Sequence, residues 1–317
     1  MDTPLISIIT LAYNHAPYIR QCIEGVVMQK TSFPIEMIIH DDASPDGTAD
    51  IIREYEALYP DIIKPIYQEE NQWSQKKSIF NRHIAPKIRG KYLAMCEGDD
   101  YWTDPDKLQK QVEFLEANPD YSASVHQCLT IYTYKDVPPE PYTKNAKDTY
   151  ALCDLLDDVR FHTATLVYRT FISEIETKMP RTIISGDRGL YFRCIKFGKI
   201  KFFHEPMSVY RINQSSISTR VTAEVMKGDL DFIPWLVGLI PDFPKYRYLS
   251  YIHKTIIAYP PKVPLHTYLK HYFLYAWYSF SFFPKNLLPL FRFTFLTTPK
   301  FAVLRLFPNI KWLKTYR

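Results

Sequence analysis

Glu97, Gly98, Asp99 and Asp100 put three carboxylates within four residues. Such groups repel one another, and a hard divalent cation held through oxygen ligands relieves the repulsion, with Gly98 letting the backbone come close to a ligand. A plainer reading stands beside it: an acidic turn leading into a helix, with Thr103 or Asp104 as the cap before Pro105. Asp42 is the second candidate, as a ligand contact or as the cap of the turn Ser44-Pro45-Asp46-Gly47. Asp187, after Gly186 and before a helical pattern with Leu190, Tyr191, Cys194 and Ile195 on one face, is an N-cap or a general base. His162 and Thr163 open an apolar stretch, where a histidine is either structural or turned toward a substrate.

These residues need elements that bring them together, and the first hundred positions supply them. The spacing predicts strands at Ser7–Thr10, Ile35–His40, Ile62–Tyr67 and Tyr92–Cys96. Helices are predicted from Tyr18 to Gln29, through Ile51, Ile52, Tyr55 and Leu58, and from about Ser78 to Ile88. Strand and helix alternating at this period build a doubly wound, mostly parallel α/β sheet, and ligands bind such sheets beyond the carboxyl ends of the strands. That rule sets Tyr13, Asn14, Asp42 and Asp99 on one rim. Neither a Gly-x-Gly-x-x-Gly nor a Gly-rich Lys-Ser/Thr loop follows the first strand, so dinucleotide and P-loop sites lose their main support. Without a glycine cradle, a bound diphosphate needs a metal ion to balance its charge.

Further along, Tyr121–His126 and the alternation Leu129–Tyr134 continue the sheet, Lys135–Asp148 reads as a mobile loop, and Phe161–Arg169 reads as a strand. The 317 residues suffice for about two units, with boundaries expected at 1–220 and 221–317. Five scattered cysteines, odd in number and without a Cys-x-x-Cys pair, fit a reducing compartment rather than a disulfide framework or a zinc site. The apolar run Leu5–Leu11 is short and lacks a basic lead-in, so no secretory signal is expected.

Three segments together carry a family resemblance: SIITLAYNHAPYIRQCIEGVVMQ, IIHDDASPDGTADII and GKYLAMCEGDDYWTDPDKLQKQVEFL. Over roughly residues 4 to 217 the chain resembles the nucleotide-sugar domain of inverting family 2 glycosyltransferases of GT-A fold, of the kind that builds bacterial surface polysaccharides. The resemblance implies that Ala12, Tyr13, Asn14 and Asp42 hold the nucleoside base. It sets the family's Asp-x-Asp motif on Glu97, Gly98 and Asp99, with Asp99 the ligand of Mn2+ or Mg2+. Glu97 departs from the usual Asp, leaving it a ribose or metal contact. Asp187 falls on the late acidic motif that supplies the catalytic base. Tyr210, Arg211 and Ser215 or Ser216 fall in a closing segment near the diphosphate, with Arg211 the best cation. Asp100, Trp102, His162 and Thr163 are expected on the acceptor side. The implied partners are a nucleotide-sugar donor and a glycan or lipid-linked acceptor. A nucleotidyltransferase and a non-catalytic assembly factor of the same fold are the competing classes.

Charge divides the chain. Beyond Asp242 there is no acidic residue and there are twelve Lys or Arg, with 21 of the 49 aromatic residues, while the preceding part is net acidic. The longest charge-free run there, Tyr272–Pro284, is shorter than the roughly 20 residues of a spanning helix. A helical, basic and aromatic tail suits an anionic membrane surface or a helical subdomain packed on the body or on a partner, and the absence of a recognisable nucleic-acid module argues against nucleic acid. A cytoplasmic protein, peripheral at the inner membrane face, is the resulting expectation.

Overall fold

The computed structural model describes residues 3–75, 78–157, 159–173, 179–180, 186–213, 226–258 and 264–280. Their contacts group into two compact units.

The first unit is built on a mixed sheet. Strands β1 (Ile6–Ala12), β2 (Ile35–Asp41), β3 (Ile63–Tyr67) and β4 (Tyr92–Met95) run parallel in the order β3-β2-β1-β4. β1 and β2 are buried along nearly their whole length, as strands covered on both faces must be, hence their Ile-rich sequences. Helices α1 (Ile19–Val27), α2 (Thr48–Leu58) and α3 (Lys107–Ala117) follow the 3.6-residue period; α1 turns Ile19, Cys22, Ile23 and Val26 into the core. Glu36 carries a charge into this core. Glu36 on β2 accepts from the Ser7 hydroxyl at 2.6 Å and from Arg89 Nε at 2.8 Å, which compensates its burial.

Beyond β4 the sheet continues as β9 (Val167–Arg169), β6 (Tyr121–Tyr132), β10 (Lys199–Ile212) and β5 (Tyr101–Trp102). β9 is antiparallel to both β4 and β6, whereas β6 and β10 form a long parallel pair with register shifts around Pro206. That irregularity suits a residue with no N–H to donate.

Three expectations change. The predicted helix from Ser78 to Ile88 is a π turn at Phe80–Ile84 followed by a 3-10 turn at Ala85–Lys87, since Pro86 removes a donor. The stretch predicted as a strand from Phe161 begins with a 3-10 turn, Thr163–Thr165, and becomes strand only at Val167. Residues Lys135–Asp148 are tethered: β7 (Glu140–Pro141) pairs with β6, and the Gln127 amide donates to the Thr143 carbonyl at 2.9 Å while accepting from its N–H at 3.1 Å. β8 (Thr149–Tyr150) pairs with β10.

The second unit is helical. It contains α4 (Leu152–Leu155), the first part of α5 (Gly186–Phe197), α6 (Phe232–Leu239), α7 (Lys245–Ile257) and α8 (Leu265–Phe280). Phe192 meets Phe232, Phe243 and Tyr248 edge-on at 5.4–5.9 Å, the favoured geometry for aromatic quadrupoles. Arg188 donates to the Leu155 carbonyl at 2.6 Å.

Candidate active site

Three neighbouring parallel strands deliver the predicted rim. The Asp42 N–H donates to the Ala12 carbonyl at 3.0 Å and the Gly98 N–H to the Leu11 carbonyl at 3.0 Å, so the segments after β1, β2 and β4 end side by side. Ala12 is buried and Tyr13 exposed. Asn14 and Ala43 stand at φ 57° and 59°, left-handed values that side chains adopt at a cost of about 1–3 kcal/mol. The Ser44 hydroxyl accepts from the Asn14 N–H at 3.0 Å, tying the two strained turns together.

Asp42 is buried, and its two oxygens accept from the N–H groups of Gln72 (2.7 Å) and Trp73 (3.0 Å). It therefore organises the segment after β3, leaving lone pairs for one more donor. Trp73 is exposed beside it, a residue that the sequence reading missed because a single polar stretch carries no period. Five further groups at or near this rim lack hydrogen-bond partners among the described residues although buried: Thr10 Oγ1, His15 Nδ1, both ring nitrogens of His40, Asp41 Oδ1 and His83 Nε2. Buried polar atoms of this kind are rare unless a ligand or water completes them. Burial lowers the pKa of His15 and of His40, opposed at His15 by the Asp99, Asp46 and Asp41 charges.

The acidic turn is fixed from several sides. A Cβ on Gly98 would lie 2.6 Å from His15 Nδ1 and 3.1 Å from the Leu11 carbonyl, so only glycine fits. Glu97 accepts from the Thr163 hydroxyl at 2.8 Å. Asp100 is buried, accepts from the Arg211 N–H at 2.9 Å, and lies 3.5 Å from His162 Nε2. Burial and the Asp99 and Glu97 charges push the Asp100 carboxyl well up, while burial pushes His162 down to about 3. The His162 ring stacks on Tyr210 at 4.2 Å.

Arg211 is almost fully buried. It donates to the Asp99 carbonyl at 2.6 Å and to Gln21 Oε1, with Tyr101 4.3 Å beneath its guanidinium. Trp102 is core: its indole N–H donates to the Ala164 carbonyl at 2.8 Å and its ring carries the buried Lys107 ammonium at 3.9 Å. Lys107 also donates to Gln111 Oε1 at 2.8 Å, and its pKa is lowered by burial to about 7.

Asp99 is the one acid of the turn whose carboxylate has no hydrogen-bond or ion-pair partner among the described residues. No group of three or more His, Cys, Asp or Glu arranged to hold a metal exists among those residues. One free carboxylate nevertheless suits Mn2+ or Mg2+, which complete their shells with substrate phosphates and water.

Asp187 lies in the second unit, in the first turn of α5. It is reached by solvent, yet protein crowded around it raises its pKa by desolvation. Ser215 and Ser216 lie outside the described residues, as does everything beyond residue 280.

A mostly parallel sheet of this order, flanked by helices and bearing an acidic turn after its fourth strand, defines a protein of the GT-A class. The profile of Glycosyl transferase family 2 matches residues 7–176, more than half of the chain, and the chain belongs to that family. It is 36% identical over 210 residues to protein Rv1520 of Mycobacterium tuberculosis (strain ATCC 25618 / H37Rv), covering 65% of this chain and 58% of that one. TuaG of Bacillus subtilis (strain 168), whose name assigns it to teichuronic acid biosynthesis as a glycosyltransferase, is 30% identical over 220 residues, 68% of this chain and 82% of TuaG. The chain thus spans less than two thirds of the first of these relatives. Among solved structures, S. aureus TarS 1-349 in complex with UDP-GlcNAc shares the fold with TM-score 0.54 at 16% identity, over 95% of this chain and 79% of that one. The mannosyltransferase PcManGT of Pyrobaculum calidifontis in complex with GDP-Man and Mn2+ does so with TM-score 0.56 at 15% identity, over 98% and 89%.

Proposed function

We propose that this chain transfers a sugar, with inversion, from a nucleoside-diphosphate sugar to a hydroxyl of a glycan or lipid-linked acceptor in cell-surface polysaccharide assembly. One observation carries the reading: the strained turns after β1 and β2 and the partnerless Asp99 carboxylate meet at one edge of a family 2 sheet. The nucleotide sugars bound to TarS and PcManGT, and the teichuronic acid biosynthesis in TuaG's name, support it.

Ala12, Tyr13, Asn14 and Asp42 would hold the nucleoside, with Asp42 able to accept from a base N–H. Glu97 and Gly98 would line the ribose and diphosphate side, and Asp99 would hold Mn2+ or Mg2+. Once bound, the ion supplies charge compensation for the leaving diphosphate. Arg211 serves the same site by clamping the Asp99 carbonyl. Asp100, His162 and Thr163 are read as the acceptor side.

In the transfer, the bond from the anomeric carbon to the diphosphate oxygen breaks as the acceptor oxygen bonds to that carbon from the opposite face. The acceptor's proton passes to Asp187, and the electron pair of the broken bond leaves with the nucleoside diphosphate. A desolvated carboxylate is a better base than a free one, which supports Asp187 in this role. A lipid-linked acceptor would set the enzyme at the inner face of the cell membrane; among the described residues no helix is long and apolar enough to cross one.

Incubation with a panel of nucleotide sugars and Mn2+ tests the reading. Release of nucleoside diphosphate with transfer to an added glycan or polyprenyl-linked acceptor is expected. No release from any donor, with or without acceptor, counts against it.

A further inference from the structure

Helix α8 is inside out. Its buried side is polar or polar-tipped: Thr267, Tyr268, His271, Tyr275 and Ser279. Its outer side is apolar, with Leu265 58% exposed, Leu269 43%, Phe273 67% and Trp277 72%. A surface helix in water shows the reverse arrangement, and large exposed apolar patches mark interaction sites.

The rotation of the helix is fixed by bonds that a half-turn would break. His253 Nδ1 and His271 Nδ1 meet at 2.7 Å, the Ser250 and Ser279 hydroxyls at 2.7 Å, and Tyr278 stacks on His253 at 5.6 Å. With its polar side bonded to α7, the helix presents the rest outward. The four exposed residues recur every fourth position and so advance about 40° per step, giving one ridge about 120° wide. His266, exposed, falls on the same arc, and Lys270, also exposed, about 20° past its edge.

We infer that this ridge docks on an anionic lipid bilayer, with Phe273 and Trp277 entering the interfacial zone and the cations of the segment meeting the headgroups. Leu, Phe and Trp on one face with basic residues around them is the composition that partitions to that zone. Charge selects the occupant. From residue 243 to 317 the chain has twelve Lys or Arg and no acid, so a second copy of this segment, or its own last residues, would bring like charge against like. An anionic membrane complements that charge. The inference deepens the membrane reading above, and vesicle binding read without donor or acceptor can fail independently of sugar transfer.

The full chain is sedimented with vesicles of phosphatidylglycerol and phosphatidylcholine in equal parts, and with phosphatidylcholine alone. At least a tenfold preference for the anionic vesicles is expected. Phe273→Glu with Trp277→Glu should reduce binding about tenfold or more, whereas Leu58→Glu, at an equally exposed apolar residue of α2, should leave it unchanged. Brominated acyl chains should quench part of the tryptophan emission, and Trp277→Phe should remove much of that quenching. The inference is overturned if the wild type ignores anionic vesicles or if the ridge variant binds them like the wild type. It is equally overturned if light scattering shows a dimer that the ridge variant dissociates while vesicles bind neither protein.

Discussion

The guanidinium of Arg211 donates to the main-chain carbonyl of Asp99 at 2.6 Å, across 112 positions of sequence. Its own N–H donates to Asp100 and its other arm reaches Gln21 on α1, so one residue of β10 grips the acidic turn at two points and ties it to α1 at a third. A lysine has one ammonium and cannot reproduce the fork. Arg211→Lys is expected to raise the donor KM roughly tenfold with a smaller change in kcat, as a loosened turn misplaces Asp99. Measuring KM and kcat separately checks this; an unchanged KM would leave Arg211 a packing residue.

Gly98→Ala would drive a methyl group against His15 and the Leu11 carbonyl. Overpacking of this kind costs about 1–3 kcal/mol. A lower melting temperature together with lost nucleotide binding is expected. A variant that keeps both would show that the turn relaxes freely.

Lys107 makes stability depend on pH in a stated direction. Its ammonium titrates at about 7 in the folded chain against 10.5 in the open one. Between these values the unfolded chain binds more protons, so stability rises with pH from about 7 to 10.5, and the burial penalty is complete below 7. That penalty is at most about 5 kcal/mol, from roughly 1.4 kcal/mol per pKa unit. Lys107→Met should therefore be more stable than the wild type at pH 6, by about 2 kcal/mol once the Gln111 bond and the Trp102 contact are given up. The gap should close toward pH 10. Denaturant titrations at both pH values decide the matter, and parallel curves would contradict it.

Asp187→Asn is expected to lower kcat by about 10²–10⁴, the usual worth of a general base, with nucleotide affinity unchanged. A base works deprotonated, and its pKa is raised here, so kcat should climb with pH as the group ionises above the ordinary carboxylate range. Wild-type turnover in the variant would remove Asp187 from the reaction.

Much of this was legible in the sequence because the signals are local. Ile-rich runs give parallel strands, and three ordered segments carry the family's motifs. What was not legible depends on long-range closure. Nothing near Glu97 announces that Thr163 will bond it, and Arg211 reads as a cation for the diphosphate until β10 lies beside the turn. Trp102 is expected on the acceptor side, whereas the pairing of β5 with β10 and the Lys107 ammonium make it core. The helix expected from Ser78 to Ile88 is cut short where Pro86 removes a backbone donor.

On this reading Asp99 holds a metal ion against a nucleotide diphosphate. Calorimetric titration of the wild type and Asp99→Asn with UDP and GDP, each with Mn2+ and with EDTA, tests it most directly. At least one nucleotide is expected to bind the wild type ten times or more tightly with Mn2+, and the variant to show no such gain. Equal affinities with and without metal in the wild type, or a full metal effect in Asp99→Asn, would contradict it.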